Sequence, residues 1–509
     1  MSDAPATAAG PSPRGARARR RVTWAIALLL VTLALLLVPD PRPDAPIPAS
    51  GVAFTWNQDS RWEALEARSA ALRALPPDEA APTVETALSE LTLALDELAT
   101  LAADAPAPLR PPHLELLARV EESFFEAAAV LSAHPARAPE LVAAHSLLRQ
   151  HMKRLSLVHR PTDDGARRLL YRALYGSRAA LEEVLLQMPA DEMPVLGLGV
   201  DEPSATPGAT LRGVRVHSGD ILVSRGGAPT SALIARGNDY PGNFSHVALL
   251  SISEDGTIET VESHIERGVV VADIDHYIHD RKLRVMLLRP RASDPALVAE
   301  PLLPARAAAR ARDAALTRHI PYDFAGDRVD HSEQFCSEVV SSHYGAEGLQ
   351  LWEGLTTTSD PDTARWLAAF GVREFETHGP SDLEYDPKLV VVAEWRDPGA
   401  LFDDHIDAAV VDALLEGARR GDTLTHRWWM LPVARVLKAY SWVLNRLGRV
   451  GPVPEGMSAT VALRVQALGA RHAALRAQVE RAAAAFQEEH GYRAPYWDLV
   501  RLAREAHDR

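Results

Sequence analysis

The chain holds a single cysteine, a histidine set in an apolar strand and a glutamate on the strand that follows, three residue types that together could carry out nucleophilic acyl transfer. Cys336 is the one cysteine among 509 residues, so neither an internal disulfide nor a thiolate metal cage can form. It follows Asp330-His331-Ser332-Glu333-Gln334-Phe335, a polar capping stretch, and precedes Ser337-Glu338-Val339-Val340, which reads as the onset of a helix. In a first helical turn the unpaired amides and the positive dipole end favour the thiolate, lowering the thiol from its ordinary ~8.5. The same amides offer an oxyanion hole for a tetrahedral intermediate. Phe335, Val339 and Val340 are placed to pin that helix to a sheet and leave Cys336 at the mouth of the interface.

A lone histidine in a strand such as Ser245-His246-Val247-Ala248-Leu249-Leu250 is ordinarily a satisfied core residue. The next strand supplies a partner. Ile258, Thr260 and Glu262 share one face by the period of two, as His246, Ala248 and Leu250 share theirs. A short hairpin around Asp255-Gly256 places Glu262 opposite His246 or within one cross-strand step. A carboxylate there fixes the imidazole tautomer and stabilises its cation, the orienting role in a catalytic triad. His331, His343, Asp327 and Asp330 lack HExxH or comparable ligand spacing, so no metal and no cofactor is expected.

These strands need a scaffold. From 214 to 395 the pattern is α+β, with strands at Ile221-Leu222-Val223, 245–251, 257–263 and 284–288, and a helix through the Ala- and Arg-rich stretch from Pro304 to Thr317. Before it, Leu88, Leu91, Leu95 and Leu98 recur at helical spacing, and similar patterns mark 59–188 as a helical bundle with proline-rich turns. After it, 401–509 returns to helix. Trp428, Trp429, Tyr440 and Trp442 with Arg427, Arg435 and Lys438 form a basic aromatic helix, read first as packing against the α+β domain and second as a membrane-interface patch. The formal charge of −14 leaves no broad basic face for phosphates and argues against a protein whose main task is gripping nucleic acid.

At the N-terminus a basic tail, 1–21, precedes an apolar run from Val22 to Val38 that Pro39 and Asp40 close. That order reads as a signal anchor or a cleaved signal peptide, with the anchor favoured. Residues 39–58 then read as a stiff proline-rich tether lifting the body off a bilayer. No cysteine stands directly after the run, which excludes a lipoprotein anchor.

Taken as a set, Gly219-Asp220-Ile221-Leu222, Ser245-His246-Val247-Ala248, Val261-Glu262 with Gly268-Val269-Val270, Tyr322-Asp323 and Phe335-Cys336-Ser337-Glu338 resemble the permuted NlpC/P60 hydrolases of the YiiX and YebB type. The resemblance falls within 200–398 and leaves both helical flanks outside it. It implies a papain-like α+β domain with an antiparallel sheet and a nucleophile helix, and a His246, Glu262, Cys336 triad in permuted order. Tyr322, Ser337 and Asp220 stand as substrate-side candidates, although Asp220 also reads as a turn-holding residue and Glu338 as a stabiliser of the helix start. The implied activity is cleavage of an amide bond, in a peptide or cell-wall peptide, through an acyl-enzyme. Lipid acyl hydrolysis or transfer, a thioesterase and a non-enzymatic tethered scaffold are the alternatives. The implied setting is a single pass in a bacterial inner membrane with the catalytic domain outside the cytoplasm, or export to the periplasm or beyond.

Overall fold

The computed structural model describes residues 13–38, 45–54, 59–280 and 282–509. The first twelve residues of the basic tail, and 39–44 and 55–58 of the tether, lie outside the described residues. Five helices, Asp59–Arg73, Pro77–Ala103, Pro111–Ala133, Ala138–Leu155 and Asp164–Leu186, build the bundle. Proline stands in the first turn of the second, third and fourth, where a missing N–H costs nothing. The fifth starts on Asp163, whose side chain accepts from the Ala166 N–H at 2.9 Å. Leu88, Leu91, Leu95 and Leu98 are all buried, in one core with Phe124, Leu131, Leu148 and Leu181.

The central element is a seven-stranded sheet. Its strands are Leu196–Leu198 (β1), Ile221–Gly226 (β2), His246–Ile252 (β3), Ile258–His264 (β4), Gly268–Asp273 (β5), Lys282–Pro290 (β6) and Leu389–Arg396 (β7). The spatial order is β1-β7-β6-β2-β3-β4-β5, antiparallel at every pairing. Alternation gives the sheet two apolar faces. Ile221, Val223, Val247, Leu249 and Val261 pack against Val339, Val340 and Ala307, Ala308 of the helices Cys336–Ala346 and Leu303–Thr317. Leu222, Ala248, Leu250 and Leu287 form the opposite layer, closed by Ile274 and Tyr277. The helices Leu401–Arg419, Ala459–His490 and Tyr496–Asp508 hold a further core, which also takes in Leu233 of the helix Pro229–Arg236.

Buried ion pairs tie these bodies together. Arg284 of β6 donates to Asp404 of the helix Leu401–Arg419 at 2.9 Å and pairs with Glu182 of the bundle. Arg149 of the bundle donates to Glu394 of β7 at 2.8 Å, and Arg178 to Glu384 at 2.6 Å. Removing one partner of such a pair strands the other charge in a dry interior, at about 3–5 kcal/mol, so the pairs fix bundle, sheet and C-terminal helices in one arrangement.

The N-terminal expectation is corrected. The helix Pro13–Leu37 contains the apolar run, but among the described residues no helix is long and apolar enough to cross a membrane. The physical reason is length: the stretch from Val22 to Val38 falls short of the ~20 apolar residues that match a hydrocarbon core. The basic aromatic segment also differs from its first reading. The helix Leu431–Arg446 packs through Leu431 and Ala434 on Ala459 and Leu463, not on the sheet, and Trp428, Trp429, Tyr440 and Trp442 are exposed, Trp428 by 68%. Arg435 donates to the carbonyls of Leu35 and Leu36 at 3.0 Å, capping the end of the N-terminal helix.

Candidate active site

Cys336 is the first residue of its helix and His246 the first of β3, so the two meet where their elements begin. The helix start is fixed by Glu338, whose Oε2 accepts from the Phe335 N–H at 3.0 Å while its Oε1 lies 3.0 Å from His331 Nδ1. Burial pushes the Glu338 carboxyl up to about 9, so at neutral pH it is protonated and places no negative charge beside the thiol. Neither Cys336 nor Ser337 has an intrahelical acceptor for its N–H at this position, and these amides are the ones available to an oxyanion.

The hairpin sets the other half. Ala248 stands opposite Glu262, one cross-strand step from His246, and continuing that register by two residues brings His264 opposite His246. His246 Nε2 donates to Glu262 Oε2 at 2.6 Å. Thr260 Oγ1 donates to Glu262 Oε1 at 3.0 Å, which holds the carboxylate in plane with its other oxygen toward the imidazole. Glu262 is 1% exposed, so this orientation is enclosed.

The electrostatics agree with the geometry. Burial alone opposes ionisation of Cys336, yet its hydrogen bond with His246, the charge of that imidazole, the Val247 N–H and the neighbouring Ser337 together bring the thiol below its usual value. Burial likewise opposes the His246 cation, but the bonds to Cys336 and Glu262 raise it to about 9. Burial disfavours ionised Glu262, and the bonds from His246 and His264 outweigh it, holding the carboxyl well below the usual range. Each group ionises because of the next, which is the arrangement of a thiolate–imidazolium pair oriented by a carboxylate.

A cavity of 210 Å³ opens beside Cys336. Its walls come from stretches far apart in the chain, among them Leu233 and Ile234 from the segment after β2, Tyr322 and Phe324, the run from Leu367 to Pro380, and Met457 with Val465. The first of these belongs to the helix Pro229–Arg236, which thus forms a wall. Tyr322 is held here because its loop docks on β5, where Val269 N–H donates to the Ile320 carbonyl at 2.9 Å. That contact needs Gly268: its φ is +72°, and a Cβ would stand 2.0 Å from the Ile320 oxygen.

Two substrate-side candidates do not line the cavity. Asp220 is 1% exposed and pairs with Arg289 Nε at 2.8 Å while accepting from the His217 N–H, so it locks a turn to β6 and lies outside the cavity. Ser337 is fully buried and does not line the cavity; the contact it makes is with the neighbouring Cys336 thiol. Sequence reasoning passed over two histidines. His264, with Nε2 3.4 Å from Glu262 Oε2, stands two residues past the acid on the same strand face, a period-two signal that was available. His378 lines the cavity, stacks on Trp352 with centroids 5.0 Å apart and faces Ser341 Oγ at 3.1 Å, and nothing in its local sequence marks it.

Compared with protein families, with curated proteins and with solved structures, the chain has no match.

Proposed function

We propose that this chain is a cysteine hydrolase that opens an amide bond through an acyl-enzyme. The observation that carries the reading is His246 bridging Cys336 on one side and buried Glu262 on the other. In the first half-reaction the Cys336 thiolate attacks the carbonyl carbon, and the oxyanion is met by the first-turn amides. The tetrahedral intermediate collapses as the His246 imidazolium gives its proton to the leaving nitrogen. In the second, neutral His246 takes a proton from water, hydroxide attacks the thioester, and the thiolate leaves as the acid product forms. The resemblance of the His246 and Cys336 motifs to permuted NlpC/P60 enzymes supports the same assignment.

Intact-mass labelling with iodoacetamide between pH 5 and 9 tests it, and the single cysteine makes the reading unambiguous. The wild type is expected to alkylate rapidly well below ~8.5, and His246→Ala to lose at least about tenfold of that rate at pH 6.5. Identical pH profiles for the two proteins would make Cys336 an ordinary buried thiol and favour a scaffold.

The cavity favours a second reading, in which the acyl part is apolar and the scissile bond an ester or thioester. Its lining is dominated by Leu, Ile, Phe, Val and Met side chains. At 210 Å³ it is smaller than the ~300–1,000 Å³ of whole-ligand pockets, so it suits one apolar arm of a substrate. On this reading kcat/KM for p-nitrophenyl esters rises about tenfold or more from acetyl to hexanoyl, at roughly 0.8 kcal/mol per methylene buried. A flat or falling series returns the assignment to peptide amides.

A further inference from the structure

We propose that His246, Glu262 and His264 form a binding site for zinc or a similar first-row divalent ion, and that occupancy switches the cysteine off. One ring nitrogen each of His246 and His264 and a Glu262 carboxylate oxygen all lie within 4.8 Å of one another. Two imidazoles and one carboxylate are a ligand set that zinc accepts, whereas magnesium and calcium prefer oxygen alone.

The spacing is nearly that of a loaded site. Around a tetrahedral ion with bonds of about 2.0–2.1 Å, ligand atoms stand roughly 3.3 Å apart. His264 Nε2 is already 3.4 Å from Glu262 Oε2. The His246–Glu262 contact, at 2.6 Å, must open to admit the ion, which takes the place of the proton those two atoms share. The Thr260 hydroxyl supplies the outer contact that fixes the carboxylate. Entry is from the His264 side, where that side chain is 30% exposed, while Glu262 at 1% forms the floor.

Binding and catalysis exclude each other at one atom. With its Nε2 lone pair given to the ion, His246 loses its bond to Glu262, and the imidazole can no longer cycle as base and acid for Cys336. One proton is released as the ion enters, from the His246 nitrogen that had bonded the carboxylate. The thiolate is not a member of the set, although Cys336 also bonds the His246 imidazole.

Calorimetric titration of zinc chloride into the tag-free full chain decides the matter, with magnesium chloride in parallel. Expected are one zinc per chain, no magnesium binding, affinity reduced by at least about tenfold in His264→Ala, and affinity kept within about threefold in Cys336→Ala. Absence of zinc binding overturns the site, as does His264→Ala binding like wild type. Loss of binding in Cys336→Ala makes the thiolate the principal ligand and overturns it equally. Calorimetry reads the site whether or not Cys336 is catalytic, so failure here is separable from failure of the hydrolase reading.

Discussion

Cys336→Ala is expected to leave a folded protein whose turnover falls by about four to six orders of magnitude. The size of the effect follows from the role: without the thiolate no acyl-enzyme forms, and what persists is catalysis by the oxyanion-binding amides and by substrate positioning alone. The substitution removes one small buried atom at the start of a helix whose cap, Glu338 on the Phe335 N–H, is untouched. The thermal transition should therefore stay within a few degrees of wild type, so the measurement compares turnover of an amide or ester substrate at matched stability. Retention of more than about a hundredth of wild-type turnover would place the nucleophile elsewhere and end the acyl-enzyme mechanism.

Glu262→Gln should lower turnover by about two to four orders of magnitude, in proportion to what an orienting carboxylate contributes in comparable triads. The sharper readout is the pH profile. On the proposed mechanism the active pair is thiolate and imidazolium, so activity is expected to fall as pH drops and the Cys336 thiol is protonated, and again as pH rises through about 9, where His246 gives up the proton needed by the leaving group. Glutamine carries no charge, so the His246 cation loses a stabilising partner and its value moves down from about 9 toward the ordinary ~6.5. The alkaline limb then moves to lower pH by more than about one unit, while the acidic limb moves up because the thiolate loses its counter-charge. A profile with unmoved limbs would show that Glu262 holds the hairpin only, however far turnover falls.

Local rules reached much of this site. The capping stretch before Cys336 announced a helix start, and a first helical turn is where a thiol is activated, whatever the rest of the chain does. Period-two alternation and a short Asp-Gly turn were enough to bring Glu262 within one cross-strand step of His246, since a hairpin's register is set by the few residues that make it. Leu88, Leu91, Leu95 and Leu98 announced their buried face for the same reason. A formal charge of −14 argued against nucleic-acid gripping, and a single cysteine excluded an internal disulfide.

What the tertiary structure alone decided depends on residues far apart in the chain. The cavity takes its walls from scattered segments between Thr230 and Val465, whose meeting depends on how loops and C-terminal helices fold back over the sheet. Asp220 pairs with Arg289 and Ser337 is buried, both away from the cavity lining, placements that no local pattern announces. The aromatic helix chose Ala459 and Leu463 over the sheet, and its tryptophans stayed exposed. Arg284, Glu182 and Asp404 are separated by more than a hundred residues at their closest in sequence, and only a finished core makes burying them tolerable. Sequence by itself determined the chemistry the residues are capable of, because helix starts and hairpin registers are local. The fold decided which of them share a site, because that depends on sheet order and long-range packing.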